Sequence, residues 1–78
     1  MSENIKDKAA RYRALAKDET FVELLQTVAD KQVAVFLAPG SSDEAIDKAR
    51  SIVLALETIE TSIQAILTEE AVFDKNNP

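Results

Sequence analysis

Seventy-eight residues, 46% of them hydrophobic and 29% charged, with a net charge of −5, make one small globular domain near the lower size limit for a chain held by a single core. The absence of cysteine and histidine excludes disulfides, thiolate or imidazole metal sites, and nucleophile pairs built on either residue. That removes most enzyme and cofactor chemistry, so no catalytic, metal or cofactor-binding residue is assigned.

The first element is expected from about Glu3 to Lys17, where Ile5, Ala9, Tyr12 and the Leu15/Ala16 pair recur at helical spacing. Ser2 is placed to cap it. A polar cluster, Lys17-Asp18-Glu19-Thr20, then interrupts the pattern, and Thr20-x-x-Glu23 has the form of a capping box opening a second helix. The first helix therefore either extends the second or folds back on it.

The second helix is expected over about 20–38, with Phe21, Leu24, Leu25, Val28, Val35 and Phe36 along one side. Its last turns are apolar nearly all round. Val33 to Leu37 has strand-like composition, but no partner strand exists elsewhere in the chain, so helix is the reading. The longest apolar run, Val33 to Ala38, is far short of a membrane span, and the opening residues lack the pattern of a signal peptide; a soluble protein is expected.

Ala38-Pro39-Gly40-Ser41-Ser42 holds the chain's one glycine and its first proline, and forces the reversal. Ser41-x-x-Glu44 has the form of a second capping box. The third helix follows over about 42–72, carrying Ala45, Ala49, Ile52, Leu56, Ile59, Ile63 and Ile66 at alternating steps of four and three, a heptad seam. Glu70 interrupts the seam, and residues 74–78 read as a frayed polar tail. The fold expected is all-α: an antiparallel helical hairpin with an N-terminal helix, in one domain spanning 1–78.

The seam leaves apolar residues over. Ile46, Val53 and Leu67 lie one position beyond it, and Leu54 lies on the far side, while Phe36 and Leu37 exceed one face of the second helix. A buried side chain of this kind contributes about 1.5–3 kcal/mol, so a hairpin that leaves several wet forfeits much of its stability. Phe36, Leu37, Val53, Leu54 and Ile66 are therefore the expected contact residues, toward other copies of the chain or a larger assembly.

Charge is uneven. Residues 1–17 carry five basic and two acidic side chains, a net +3, and the remaining 61 carry four and twelve, a net −8. Such a chain can set its basic arm against an acidic body, its own or a neighbour's. Glu57 and Glu60 share a helix side and suit ion pairing with that arm; without histidine they do not suit a bundle metal site. Asp43, Glu44 and Asp47 read as helix-start chemistry rather than a calcium loop. Arg11-Tyr12-Arg13 could present a stacking aromatic between cations, but Tyr12 belongs to the apolar spacing and the net charge opposes phosphate binding. The acidic surface also admits a second class of function, a small regulator or inhibitor that binds a host protein.

The order of landmarks resembles a family of small helical proteins from the head-assembly modules of tailed bacteriophages. Those landmarks are Arg11 to Lys17, Asp18-x-Thr20-Phe21, Phe36-Leu37-Ala38-Pro39, Asp43-Glu44, Lys48-Ala49-Arg50 and Leu54-Ala55-Leu56-Glu57-x-Ile59. Glu19 stands where that set often has proline, and Phe36 where it often has tryptophan. The resemblance implies a minor virion or assembly component acting in several copies near the portal or capsid. Its implied location is the virion, assembled in the host cytoplasm, and it carries over no individual site residue.

Overall fold

In the computed structural model, which describes residues 4–76, the chain forms three helices and no strand among those residues: α1 (Ile5–Lys17), α2 (Glu19–Leu37) and α3 (Asp43–Asn76). α3 packs on both of the others, while α1 and α2 meet only sparingly. The 13 and 19 residues of α1 and α2 laid end to end span about 48 Å at 1.5 Å per residue. The 34 residues of α3 span about 51 Å, which matches the 56 Å long axis of the molecule. The N-terminal helix thus extends the second, and the two together lie along the full length of the third. Lys6 pairs with Asp74 and Arg13 with Glu70, so α1 runs opposite to α3.

The join between α1 and α2 is one residue. Asp18 has extended backbone (φ −68°, ψ 121°) and serves both helices. Its N–H donates to the Leu15 carbonyl, and its Oδ1 accepts the Phe21 N–H at 2.8 Å. The helix therefore does not start at the capping box expected at Thr20: aspartate two residues earlier makes the N-cap, a residue favoured there over threonine.

The reason for the break lies in the phase of the apolar stripe. The inward residues of α1 are Ile5, Ala9, Tyr12 and Ala16, at steps of four, three and four, and all are buried or half-buried. Those of α2 are Phe21, Leu25, Val28, Gln32 and Val35, at steps of four, three, four and three. Between Ala16 and Phe21 the step is five, which in a continuous helix would swing the stripe by about 140°. One extended residue resets the phase and returns both stripes to α3.

α3 keeps its heptad without interruption. Ala45, Ala49, Ile52, Leu56, Ile63 and Ile66 are buried or half-buried at the expected positions, whereas Ile59 stays 40% exposed. Glu70 occupies the next seam position, and the helix continues through it to Asn76. The tail expected to fray from residue 74 is helical as far as Asn76, and Asp74 holds Lys6; Asn77 and Pro78 lie outside the described residues. The same is true of Ser2 and Glu3. Asn4 caps α1 by accepting the Asp7 N–H at 2.9 Å, so the helix begins at Ile5.

The turn divides its work between two serines. The Ser41 hydroxyl donates to the Val35 carbonyl at 2.7 Å, satisfying one of the four free carbonyls at the end of α2. Ser42, not Ser41, caps α3, its Oγ accepting the Ala45 N–H at 3.1 Å. The N-cap is thus one residue later than expected, and with alanine at 45 it is a single cap rather than the capping box expected at Ser41-x-x-Glu44. Asp43 and Glu44 fall in the first turn, where the helix dipole favours them. Gly40 has no positive φ, and a Cβ built there meets nothing within 4 Å. The reversal needs no glycine at that position.

The core is thin. Among the described residues the buried apolar side chains are Ala9, Ala49 and Ile63, and the one buried polar side chain, Gln32, donates to the Val28 carbonyl of its own helix. The accessible surface is 6073 Å², against about 4,700 Å² for a compact monomer of 8.6 kDa. The radius of gyration is 17.0 Å, against about 11.5 Å for a compact 78-residue domain. Two helices' thickness of protein is a rod, with no third layer to close it.

Candidate docking groove

The missing layer leaves an open groove of about 560 Å³ beside the contact of α2 and α3. Ala16 closes one end. One wall is Phe21, Val22, Leu25, Ala29 and Val33 of α2, and the other is Val53, Leu56 and Ile63 of α3. Its polar lining is Gln26 on one side and Glu57, Glu60 and Gln64 on the other.

The α2 wall has a regular origin. Val22, Gln26, Ala29, Val33 and Phe36 follow steps of four, three, four and three, a second heptad seam displaced by one residue from the stripe that faces α3. A helix carrying two adjacent seams has surface for two partners, and within this chain α3 covers only the first. Val22, Val33 and Phe36 are each between two-fifths and half exposed. The surplus at Phe36 and Leu37 is visible in the sequence, but the seam is not, because Gln26 and Ala29 fall within it. Leu24 and Phe36 are expected on the inner face. Both are exposed, and Gln32 takes the inner position instead.

The five expected contact residues do not share one face. Val53 lines the groove and is half-buried. Phe36 continues the second seam toward the turn, and Leu37, 77% exposed, closes α2 beside it. Leu54 follows Val53, so it lies about 100° further round α3, and it is 56% exposed. Ile66 is half-buried on the seam flank away from Val53. Outside this set, Leu15, Leu24, Ile59, Val72 and Phe73 are also exposed.

The basic arm meets the chain's own acidic body, at Glu70 and Asp74. Glu57 and Glu60, expected to serve that role, do not: they lie along the groove, opposite α2, with no cation among the described residues paired to either. Arg13 donates to Glu70. No three acidic side chains converge in a way that could hold a metal ion among the described residues.

Residues 51–68 of α3, between Arg50 and Glu69, are long and apolar enough by composition to cross a membrane, and little of the stretch is buried. This differs from the reading by longest apolar run, because the apolar residues are interspersed rather than consecutive. Glu57 and Glu60 sit at the middle of it, where a bilayer would oppose two carboxylates.

Comparison with family models, with curated proteins and with solved structures brought no match.

Proposed function

We propose that this chain is a non-enzymatic structural and interaction protein that works by packing its exposed apolar seams against other helices, in several copies or on a larger assembly. The observation that carries the reading is the imbalance of burial. Three apolar side chains are buried among the described residues, while ten large ones, Leu15 to Phe73, are exposed. Single exposed aliphatics are ordinary, but here several fall on one heptad, Val22, Val33 and Phe36, where chance scatter would not place them. The excess of about 1,400 Å² over a compact monomer exceeds the about 800 Å² that one partner gives to a standard interface.

The setting proposed is the head or portal assembly of a tailed bacteriophage, on the residue pattern from Arg11 to Ile59. Sedimentation velocity at micromolar concentration tests the association: species heavier than 8.6 kDa support it, and a lone 8.6 kDa boundary contradicts it. Recovery of the chain from purified particles tests the setting.

One observation favours a second reading, a small acidic regulator of a host protein. Glu57 and Glu60 flank an apolar groove, and no cation among the described residues pairs with either. A protein found free in the cytoplasm, bound one-to-one to a single host protein, would place it in that class.

A further inference from the structure

We propose that the groove between α2 and α3 seats an amphipathic helix of a different protein, one whose apolar stripe is flanked by lysines or arginines. The proposal deepens the interaction reading above and rests on it.

The chain holds its own example of this recognition. α1 lays the stripe Ile5, Ala9, Tyr12 and Ala16 on α3 and sets Lys6 against Asp74 and Arg13 against Glu70. Glu60 stands two heptads upstream of Asp74, so it holds the same place on the helix. There no basic helix meets it. α1 ends at Lys17, and beyond Asp18 the chain continues as α2, whose side of the groove offers apolar side chains and Gln26 but no cation. The groove thus repeats the apolar floor and acidic rim of the α1 site with the basic helix missing.

Charge decides between occupants. A second copy seated groove to groove would bring Glu57 and Glu60 against the same two residues, at a net charge of −5 for each chain. The basic helix of that copy is already engaged by its own Glu70 and Asp74. A foreign helix with cations at its flanks meets neither obstacle. From Phe21 to Val33 the α2 wall runs about 18 Å, enough for three turns and for anchors at i, i+3, i+4 and i+7. Ala29 at mid-wall is the smallest of its side chains and leaves room for a large apolar anchor.

The test uses the full chain and two fluorescent synthetic helical peptides with one leucine stripe, flanked by lysine in the first and by glutamate in the second. Anisotropy should show binding of the lysine peptide that weakens with added salt, and at least tenfold weaker binding of the glutamate peptide. Glu57→Lys with Glu60→Lys should reverse that preference. Asp47→Lys, on the outer face of α3, should leave it unchanged. Ala29→Trp should block both peptides by filling the groove, and circular dichroism of each variant confirms that the helices remain. Equal binding of the two peptides, or a preference indifferent to charge at Glu57 and Glu60, overturns the proposal. So does loss of self-association on charge reversal, which would make a second copy the occupant. A monomer in sedimentation that still selects the lysine peptide would refute multi-copy packing and leave the groove assignment standing.

Discussion

The Arg13 guanidinium donates to the Glu70 carboxylate across the contact of α1 and α3, at a seam position where the heptad elsewhere carries alanine, leucine or isoleucine. The Glu70 side chain is 13% exposed, so its charge is largely withdrawn from water and depends on this partner. Arg13→Ala should lower stability to urea by about 1–2 kcal/mol, between the range for an exposed pair and that for a charged hydrogen bond. Lys6→Ala removes a pair exposed at both ends and should cost under about 1 kcal/mol. Equal losses for the two variants would show that Glu70 is not the anchor of α1.

Asp18→Ala should cost about 1 kcal/mol through loss of the cap on the Phe21 N–H. Asp18→Asn should retain most of that stability, since the amide oxygen can accept the same bond. Urea denaturation followed by circular dichroism reads both. Indifference to alanine would mean that the break is held by tertiary packing alone.

Gly40→Ala should be neutral or stabilising by up to about 1 kcal/mol. The native φ is open to alanine and the added methyl meets open space, so the main effect is a less flexible unfolded chain. A clear drop in melting temperature would contradict this account of the turn.

Ser42→Ala should cost about 1 kcal/mol, because its hydroxyl is the N-cap of α3. Ser41→Ala loses a hydrogen bond to the end of α2 instead, a net effect of about 0.5–1.5 kcal/mol. A thermal melt of Ser42→Ala indistinguishable from wild type would contradict the cap at Ser42.

Leu54→Glu should leave the stability of the isolated chain within about 0.5 kcal/mol, as surface substitutions do, while weakening self-association. Unfolding of the variant under conditions where wild type is folded would make Leu54 a core residue.

Much of this architecture is legible in the residues. Steps of four and three from Ala45 to Ile66 place α3, and the proline-glycine break places the reversal. The exact caps are not, because aspartate at 18 and threonine at 20, or serines at 41 and 42, satisfy the same local chemistry. The choice falls to the phase of the stripe on α3, which is a tertiary constraint. The join at Asp18 could be read from the step of five between Ala16 and Phe21 once both stripes are aligned on α3. The groove is harder to read. Its wall uses Gln26 and Ala29, which carry little hydrophobic signal, and its rim uses Glu57 and Glu60, which a charge count assigns to α1. Only the length of α1, ending at Lys17, shows that the basic arm reaches Glu70 and Asp74 rather than those two.

The central claim is that the exposed seams make this rod associate with copies of itself rather than stand as a finished monomer. Sedimentation equilibrium over a range of micromolar concentrations, on wild type and on Leu54→Glu, tests it most directly. The account predicts a wild-type mass above 8.6 kDa that rises with concentration and falls toward 8.6 kDa in the variant. A wild-type mass of 8.6 kDa at every concentration would contradict it.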